Sequence, residues 1–292
     1  MIEFIQQMIN GISLGSIYAL IALGYTMVYG IIKLINFAHG DIYMLGAFIG
    51  YLSIVYLKLS FIPALIFSML ICALIGVVIE KVAYKPLRKA TRIAALITAI
   101  GVSYFLQSST QNVLGTGVKT FPEVLVKQVY IIGGLRITSH QIIIFTVTIL
   151  LMILLQYIVS KTNTGRAMRA VSADADAARL MGIDVNRTIS YTFAIGSALA
   201  GAAGVLVGIY YNSINPLMGF VPGLKAFVAA VFGGIGIIPG AMLGGFFIGI
   251  VETLVSGYGS SLYRDAVVYG ILIIVLIVKP TGLLGKNTKE KV

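Results

Sequence analysis

Long apolar stretches leave this chain little choice of fold. Six of them, at approximately 8–30, 38–57, 61–80, 93–114, 139–160 and 189–211, are close to the roughly 20 residues a helix needs to cross the hydrocarbon core of a bilayer. A Gly-rich region at 219–258 and a last apolar run at 264–279 follow. Backbone amides and carbonyls find no water at that depth, so such runs satisfy them internally as helices. Of the 292 residues, 59% are hydrophobic and 11% charged, too apolar a balance for an ordinary soluble protein. The expected fold is an all-α polytopic membrane bundle of about eight transmembrane helices. It forms a single domain over 1–292, with no soluble domain of useful size.

The net charge of +11 does not point to nucleic acid, because the charge follows the loops. Lys81, Lys85, Arg88, Lys89 and Arg92 fill one inter-helix loop, and Lys161, Arg166, Arg169, Arg179 and Arg187 fill another. With Lys279, Lys286, Lys289 and Lys291 in the tail, these segments hold 14 of the 21 basic residues, which is the positive-inside pattern. Counting back through the spans places the N-terminus outside and the C-terminus in the cytoplasm. Glu3 and the lack of a basic leader segment lead us to expect the first helix to be retained. Cys72 is alone and inside an apolar run, so no disulfide framework is expected. With no Trp, tyrosines such as Tyr56, Tyr130, Tyr157, Tyr210 and Tyr211 are expected to supply the interfacial anchors.

Small residues recur at four-residue steps, as in Gly11–Gly15–Ala19, Gly196–Ala200–Gly204–Gly208, Gly240–Gly244 and Gly245–Gly249. That step stacks them on one helix face and lets backbones approach closely where lipid offers no hydrophobic drive. Pro222 to Gly236 is a stretch of about 15 residues, short for a clean crossing, and Gly233, Gly234, Gly236, Pro239 and Gly240 interrupt it. A broken or re-entrant pair is therefore expected at 222–258, a feature tolerated only inside protein or beside a watery cavity. A re-entrant pair and two full spans give the same charge parity, so both stay open. In the long loop at about 115–138, the β-prone run from Val124 to Ile132 reads either as a small structured surface or as a plain hairpin connection.

Few residues offer chemistry at membrane depth. Lys225 and Glu252 stand 13 or 14 residues either side of the Ile238–Pro239 turn, so an antiparallel hairpin would bring them level. An intramembrane ionisable residue is a functional candidate by default, while an ion lock on the hairpin is the simpler reading of this pair. Asn36-Phe-Ala-His-Gly-Asp41 interrupts the apolar sequence between the first two helices. Asn36, His39 and Asp41 supply donors and acceptors there, and Gly40 permits a bend. One imidazole and one carboxylate fall short of a metal ligand set. No nucleophile elbow, paired-His zinc motif or phosphate loop is present, so an enzyme is not expected.

The loop at about 161–188 contains a different kind of segment, Ser172 to Asp184, which reads as a short polar helix on the basic side. Ser172 is a candidate cap, Asp174 and Asp176 suit the positive end of the helix dipole, and Gly182 is placed as a left-handed stop. Ala175, Ala178, Leu180 and Met181 give it a small apolar face. It is either a solvated connection or a surface built to touch something outside the bilayer.

Taken in order over about residues 10–285, the chain resembles the LivH-type permease subunits of bacterial branched-chain amino acid ABC importers. The resemblance is carried by Gly15-Ser-Ile-Tyr-Ala-Leu, Asn36-Phe-Ala-His-Gly-Asp-Ile-Tyr-Met-Leu-Gly-Ala47, Gly165-Arg-Ala-Met-Arg-Ala170, Asp176-Ala-Ala-Arg-Leu-Met-Gly182 and Lys225-Ala-Phe-Val-Ala-Ala-Val-Phe-Gly-Gly234. It implies a translocation path for Leu, Ile and Val in the bacterial inner membrane. The implied partners are a second related permease, two cytoplasmic ATPases that hold ATP and Mg, and an extracytoplasmic substrate-binding protein; no cofactor is implied in this chain. Asp174, Asp176, Ala177, Ala178, Leu180, Met181 and Gly182 then correspond to the ATPase-coupling helix, with Asp176 where importers usually have Glu. Asn36, His39, Asp41, Lys225 and Glu252 become candidates for the substrate path. A sibling permease for urea or short amides is the near alternative, and an ion-coupled secondary carrier the distant one.

Overall fold

The computed structural model describes residues 2–88 and 90–285. Lys89 and the tail lysines Lys286, Lys289 and Lys291 of the charge pattern lie outside the described residues. Six helices are long and apolar enough to cross a membrane: α1 (Ile2–Ile32), α3 (Phe61–Ile79, continued by a π-helical turn at Glu80–Tyr84), α4 (Arg92–Leu114), α5 (Ser139–Lys161), α8 (Val185–Tyr211) and α10 (Ile238–Tyr258). Three shorter helices complete the bundle: α2 (His39–Val55), α9 (Phe220–Gly233) and α11 (Arg264–Val278). Two small helices, α6 (Asn163–Ala173) and α7 (Ala175–Leu180), lie in the long loop at one end, here called the basic end. A β-hairpin, β2 (Val129–Ile132) with β3 (Leu135–Thr138), marks the opposite end. There β1 (Lys119–Thr120) also pairs with β4 (Ser213–Ile214). The chain is thus the multi-pass helical membrane protein that its apolar runs predict.

The small-residue ladders are where the helices meet. A Cβ on Gly11 would stand 2.6 Å from Ile250 Cα, and one on Gly15 2.8 Å from Phe246 Cα, so α1 and α10 run antiparallel in backbone contact. Along α8, a Cβ on Gly201 would lie 2.9 Å from Cys72 Sγ, and Gly204 presses on the α2 backbone at Ala47. Without a hydrophobic force between helices in lipid, this close approach is what dispersion attraction requires. α1 and α8 are consequently the buried centre, while α3, α4 and α5 expose large apolar side chains such as Ile62, Phe105 and Ile153.

The Gly-rich region runs the length of the bundle twice, down and back, and is not a re-entrant hairpin. Ser213–Ile214 lies at the hairpin end, Gly236 lies at the basic end beside Gly30 and Ser172, and Tyr258 returns to the hairpin end beside Glu3 and Arg136. α9 has only 14 residues, about 21 Å of helix, because irregular residues 215–219 bring the chain down to its start. α2 is likewise preceded by an irregular segment, entering from the basic end. The two starts touch: a Cβ on Gly223 would lie 2.9 Å from Gly40 Cα, and one on Gly40 3.0 Å from Gly223 Cα.

Two expectations need correction. The strand signal from Val124 to Ile132 is realised only from Val129, because the hairpin register is set by Gly133 and Gly134 at φ 58° and 86°, the pair of left-handed residues a two-residue turn demands. Ser172 does not cap a helix. It sits in the last turn of α6, and its hydroxyl donates to Gly30 O at 2.5 Å.

Candidate translocation path and coupling helix

α7 is short, and its ends are chemically fixed. Asp174 caps it, its carboxylate accepting from the amides of Asp176 and Ala177, both at 2.9 Å. At the other end Gly182 takes φ 83°, and Ile183 N donates to Ala178 O at 3.0 Å, the six-to-one closure of a Schellman motif. Asp176 pairs with Arg179 at 3.1 Å, and Asp184 caps the following helix through Arg187 N. Six residues are far too few for a stable isolated helix, so the caps and the burial of Ala178 hold it. The apolar face expected from the sequence is divided: Ala178 packs inward at 4% exposure, whereas Leu180 and Met181 project outward at 89% and 82%. Behind α7, α6 is bonded through Ser172 to Gly30 in α1, and its Gly165 packs on the α5 backbone at Ile158 and Val159. α6, next to α7 in the chain, is thus in close contact with both α1 and α5.

At membrane depth the five candidate path residues form two groups. Asn36, His39 and Asp41 cluster at the start of α2 and are all 1–2% exposed. Asn36 Oδ1 accepts from Tyr84 OH at 2.8 Å, while its Nδ2 has no partner among the described residues. The His39 ring meets Tyr25 edge-on at 4.9 Å, and its Nε2 is also unpartnered. Asp41 Oδ1 accepts from Gln107 Nε2 at 2.9 Å, and Gln107 Nε2 also donates to Ser103 Oγ at 3.3 Å. Ser103, Gln107 and Thr110 were not singled out from sequence. Their 103–107–110 spacing, a polar stripe on the otherwise apolar α4, was the available signal.

Lys225 and Glu252 form the second group, and the structure brings them together. Lys225 Nζ lies 2.6 Å from Glu252 Oε1, with both side chains at most 5% exposed. Tyr18 OH donates to Glu252 Oε2 at 2.8 Å. Lys225 Nζ is also 2.6 Å from Asp265 Oδ1, off the direction of a hydrogen bond, and Arg264 Nε stands 3.9 Å from Glu252 and 3.5 Å from Asp265. Two cations thus face two carboxylates, which is the arrangement a low-dielectric site tolerates. Tyr18, Arg264 and Asp265 could not be read from spacing, since they come from α1 and α11. No hydrogen bond or ion pair among the described residues links the two groups.

Beside the first group, a cavity of about 630 Å³ is lined by Phe37, Leu96, Ile100, Leu224 and the first turn of α9, with Tyr25, Ser103 and Gln107 as its polar wall. None of Asn36, His39 and Asp41 lines it, and Asp41 reaches that wall through Gln107. Among the described residues no three His, Cys, Asp or Glu side chains come close enough to hold a metal ion.

Comparison with known proteins agrees with this architecture. The high-affinity branched-chain amino acid transport system permease protein LivH of Salmonella typhimurium is 46% identical, over 99% of this chain and 98% of its own length. The corresponding protein BraD of Pseudomonas aeruginosa is 45% identical over the same shares. A solved structure, PsaBC from Streptococcus pneumoniae in complex with Fab, matches with a TM-score of 0.50 at 15% identity, covering 95% of this chain and 92% of that one, and so shares the fold alone. The family model for the branched-chain amino acid transport system permease component matches residues 7–276, and this chain belongs to that family.

Proposed function

We propose that this chain is one of two related permeases in an ATP-driven importer of leucine, isoleucine and valine in the bacterial inner membrane. Its N-terminus and hairpin end face outward, and its basic end faces the cytoplasm. The relatives LivH and BraD are named for high-affinity branched-chain amino acid transport, and the basic residues at one end fit the cytoplasmic side. The observation that carries the mechanism is α7, where two large apolar side chains, Leu180 and Met181, are held out from a rigidly capped helix in a charged loop. Such a knob suits a groove on a cytoplasmic ATPase. Nucleotide-driven motion of that groove would pass through α7 and α6 to α1 and α5, as a rigid-body shift between two packed arrangements. ATP and Mg belong to the ATPases, and an extracytoplasmic binding protein delivers the substrate.

The test is to co-purify the chain with its genomic neighbours and measure ATP-driven uptake of labelled leucine into proteoliposomes. Wild type takes up leucine only with ATP. Leu180→Asp with Met181→Asp leaves the bundle folded but abolishes ATPase assembly or coupling. Uptake driven by an ion gradient without the ATPases overturns the importer reading. ATP-dependent uptake of urea in place of leucine keeps the class and overturns the substrate.

A further inference from the structure

The start of α9 is an unusual place to leave backbone amides unpaired. Its N-cap is Gly219, with no side chain to accept from the first turn. Gly223 N bonds back to Gly219 O at 3.0 Å, and Pro222 has no amide hydrogen, but Phe220 N and Val221 N find no acceptor among the described residues. This start touches Gly40, while Phe220 and Val221 are themselves 58% and 39% exposed, so their amides border an open groove; at membrane depth an unmet amide costs free energy of the order of a lost hydrogen bond or more. Both amides belong to the turn that walls the 630 Å³ cavity.

The opposing polar wall carries the complementary character. Gln107 is 7% exposed and lines the cavity. Its Nε2 is committed to Asp41 and Ser103, whereas its Oε1 accepts no hydrogen bond among the described residues. Asp41 stands directly behind: a Cβ on Gly219 would be 3.0 Å from Asp41 Oδ1, so a carboxylate lies beside the helix start. A positive helix end beside a negative side chain suits a small zwitterion better than either a simple anion or a simple cation. Apart from the Tyr104 phenol, the remaining wall, with Leu96, Ile100, Leu224 and Phe37, is apolar.

We infer that this cavity is the permease's own amino-acid site. The substrate carboxylate accepts from Phe220 N and Val221 N, the ammonium donates to Gln107 Oε1 within the field of Asp41, and the branched aliphatic side chain lies between Leu96, Ile100 and Leu224. The inference rests on the proposed import of branched-chain amino acids and deepens it. Asp41 acts as a positioning residue, orienting the Gln107 amide, and urea, with no apolar part, would leave most of the cavity unfilled.

The experiment uses the complete transporter in proteoliposomes with its binding protein, and a diazirine analogue of leucine as the photoreactive probe. Crosslinks are expected in residues 96–107 and 217–224, suppressed by excess leucine but not by urea. Ile100→Trp should cut labelling and leucine uptake at least ten-fold, while the variant still co-purifies with the second permease and both ATPases in wild-type stoichiometry, which shows that the assembly is intact. Should that variant not assemble, Leu96→Phe makes the same test from the neighbouring turn. Crosslinks that map elsewhere in a wild-type transporter with normal leucine uptake, or labelling unchanged in an assembled filling variant, overturn the inference. A wild-type transporter that takes up no leucine overturns the proposed function instead.

Discussion

Replacing Lys225 by Met while leaving its two carboxylates in place should be among the most damaging single changes in the bundle. The ammonium is 2.6 Å from both Glu252 and Asp265, and the lysine side chain is 2% exposed. Breaking a buried pair by removing one partner typically costs about 3–5 kcal/mol, because the other charge stays buried without compensation. Arg264 remains 3.9 Å from Glu252 but is half exposed, so it offsets only a part, and we expect about 3 kcal/mol for Lys225→Met. Glu252→Gln should be milder, about 1–2 kcal/mol, since Tyr18 still has an oxygen to donate to and Lys225 keeps Asp265. Adding Glu252→Gln to Lys225→Met should therefore restore at least 1 kcal/mol, the signature of coupled sites. Cys72 supplies the assay: it is the chain's only cysteine and is fully buried, so a fluorogenic maleimide reacts with it only as the bundle opens. On the scaling for chains of roughly 150–250 residues, 3 kcal/mol corresponds to a fall of about 6–12 °C in Tm. A Lys225→Met protein melting within a degree of wild type, or a double variant no more stable than that single one, would refute the ion lock. A stable double variant that no longer transports leucine would place the pair on the substrate path.

Other perturbations separate packing, charge and coupling. Gly15→Val should prevent stable assembly of the bundle, since even the first carbon of a side chain would stand 2.8 Å from Phe246 Cα. Gly101→Ala, which meets nothing within 4 Å on a helix, should stabilise by up to about 1 kcal/mol; Cys72 labelling during melting measures both. Arg88→Met leaves the Glu80 carboxylate, fully buried, with Ser190 Oγ at 2.6 Å as its side-chain partner among the described residues, and should cost about 3 kcal/mol, with partial recovery on adding Glu80→Gln; the same melting assay reads this. Gly182→Val forces a branched residue to φ 83° at a site open to solvent, so the cost of about 1–2 kcal/mol stays local. It should leave the Cys72 melting temperature unchanged while ATP-driven uptake falls.

The features legible in the sequence were those fixed by local spacing. The spans follow from apolar length, and the contacts at Gly11, Gly15 and Gly204 follow from a four-residue step that any helix turns into a face. The Lys225–Glu252 pair was readable because the two residues stand nearly equidistant from one turn. What stayed hidden depends on which helices become neighbours. Tyr18 and Asp265 join that pair from α1 and α11, and Gln107 meets Asp41 from α4, at separations no periodicity encodes. At the candidate coupling helix, Ser172 reads from the sequence as the cap and Asp174 as a charge at the positive end of the dipole, yet Asp174 is the cap. The contest was decided by tertiary packing, which draws the serine hydroxyl to Gly30 and leaves the aspartate facing the free amides.

The two helix breaks are not equivalent, and the difference bears on where a substrate can bind. Both α2 and α9 begin inside the bundle, entered from opposite ends, and glycine at 40, 219 and 223 is what lets their backbones meet. The start of α2 is closed in larger part by its own backbone, although Gly40 N, Asn36 Nδ2 and His39 Nε2 find no partner among the described residues. His39 N bonds to Asn36 O, and Asp41 N and Ile42 N to Ala38 O, while Asn36 and Asp41 find partners in Tyr84 and Gln107. The start of α9 has no side-chain cap, because a glycine stands there, a proline removes the third amide, and the amides of Phe220 and Val221 find no acceptor among the described residues. A side-chain cap such as Thr138, which closes α5 with a reciprocal Gln141 box, is excluded at this position, because a Cβ on Gly219 would stand 2.5 Å from Gly40 O. Gly219→Ser should therefore lower the melting temperature read by Cys72 labelling, by the equivalent of about 1–3 kcal/mol, because its Cβ has no room against the Gly40 backbone. A Gly219→Ser protein that melts with wild type would mean that the starts of α2 and α9 do not meet in backbone contact.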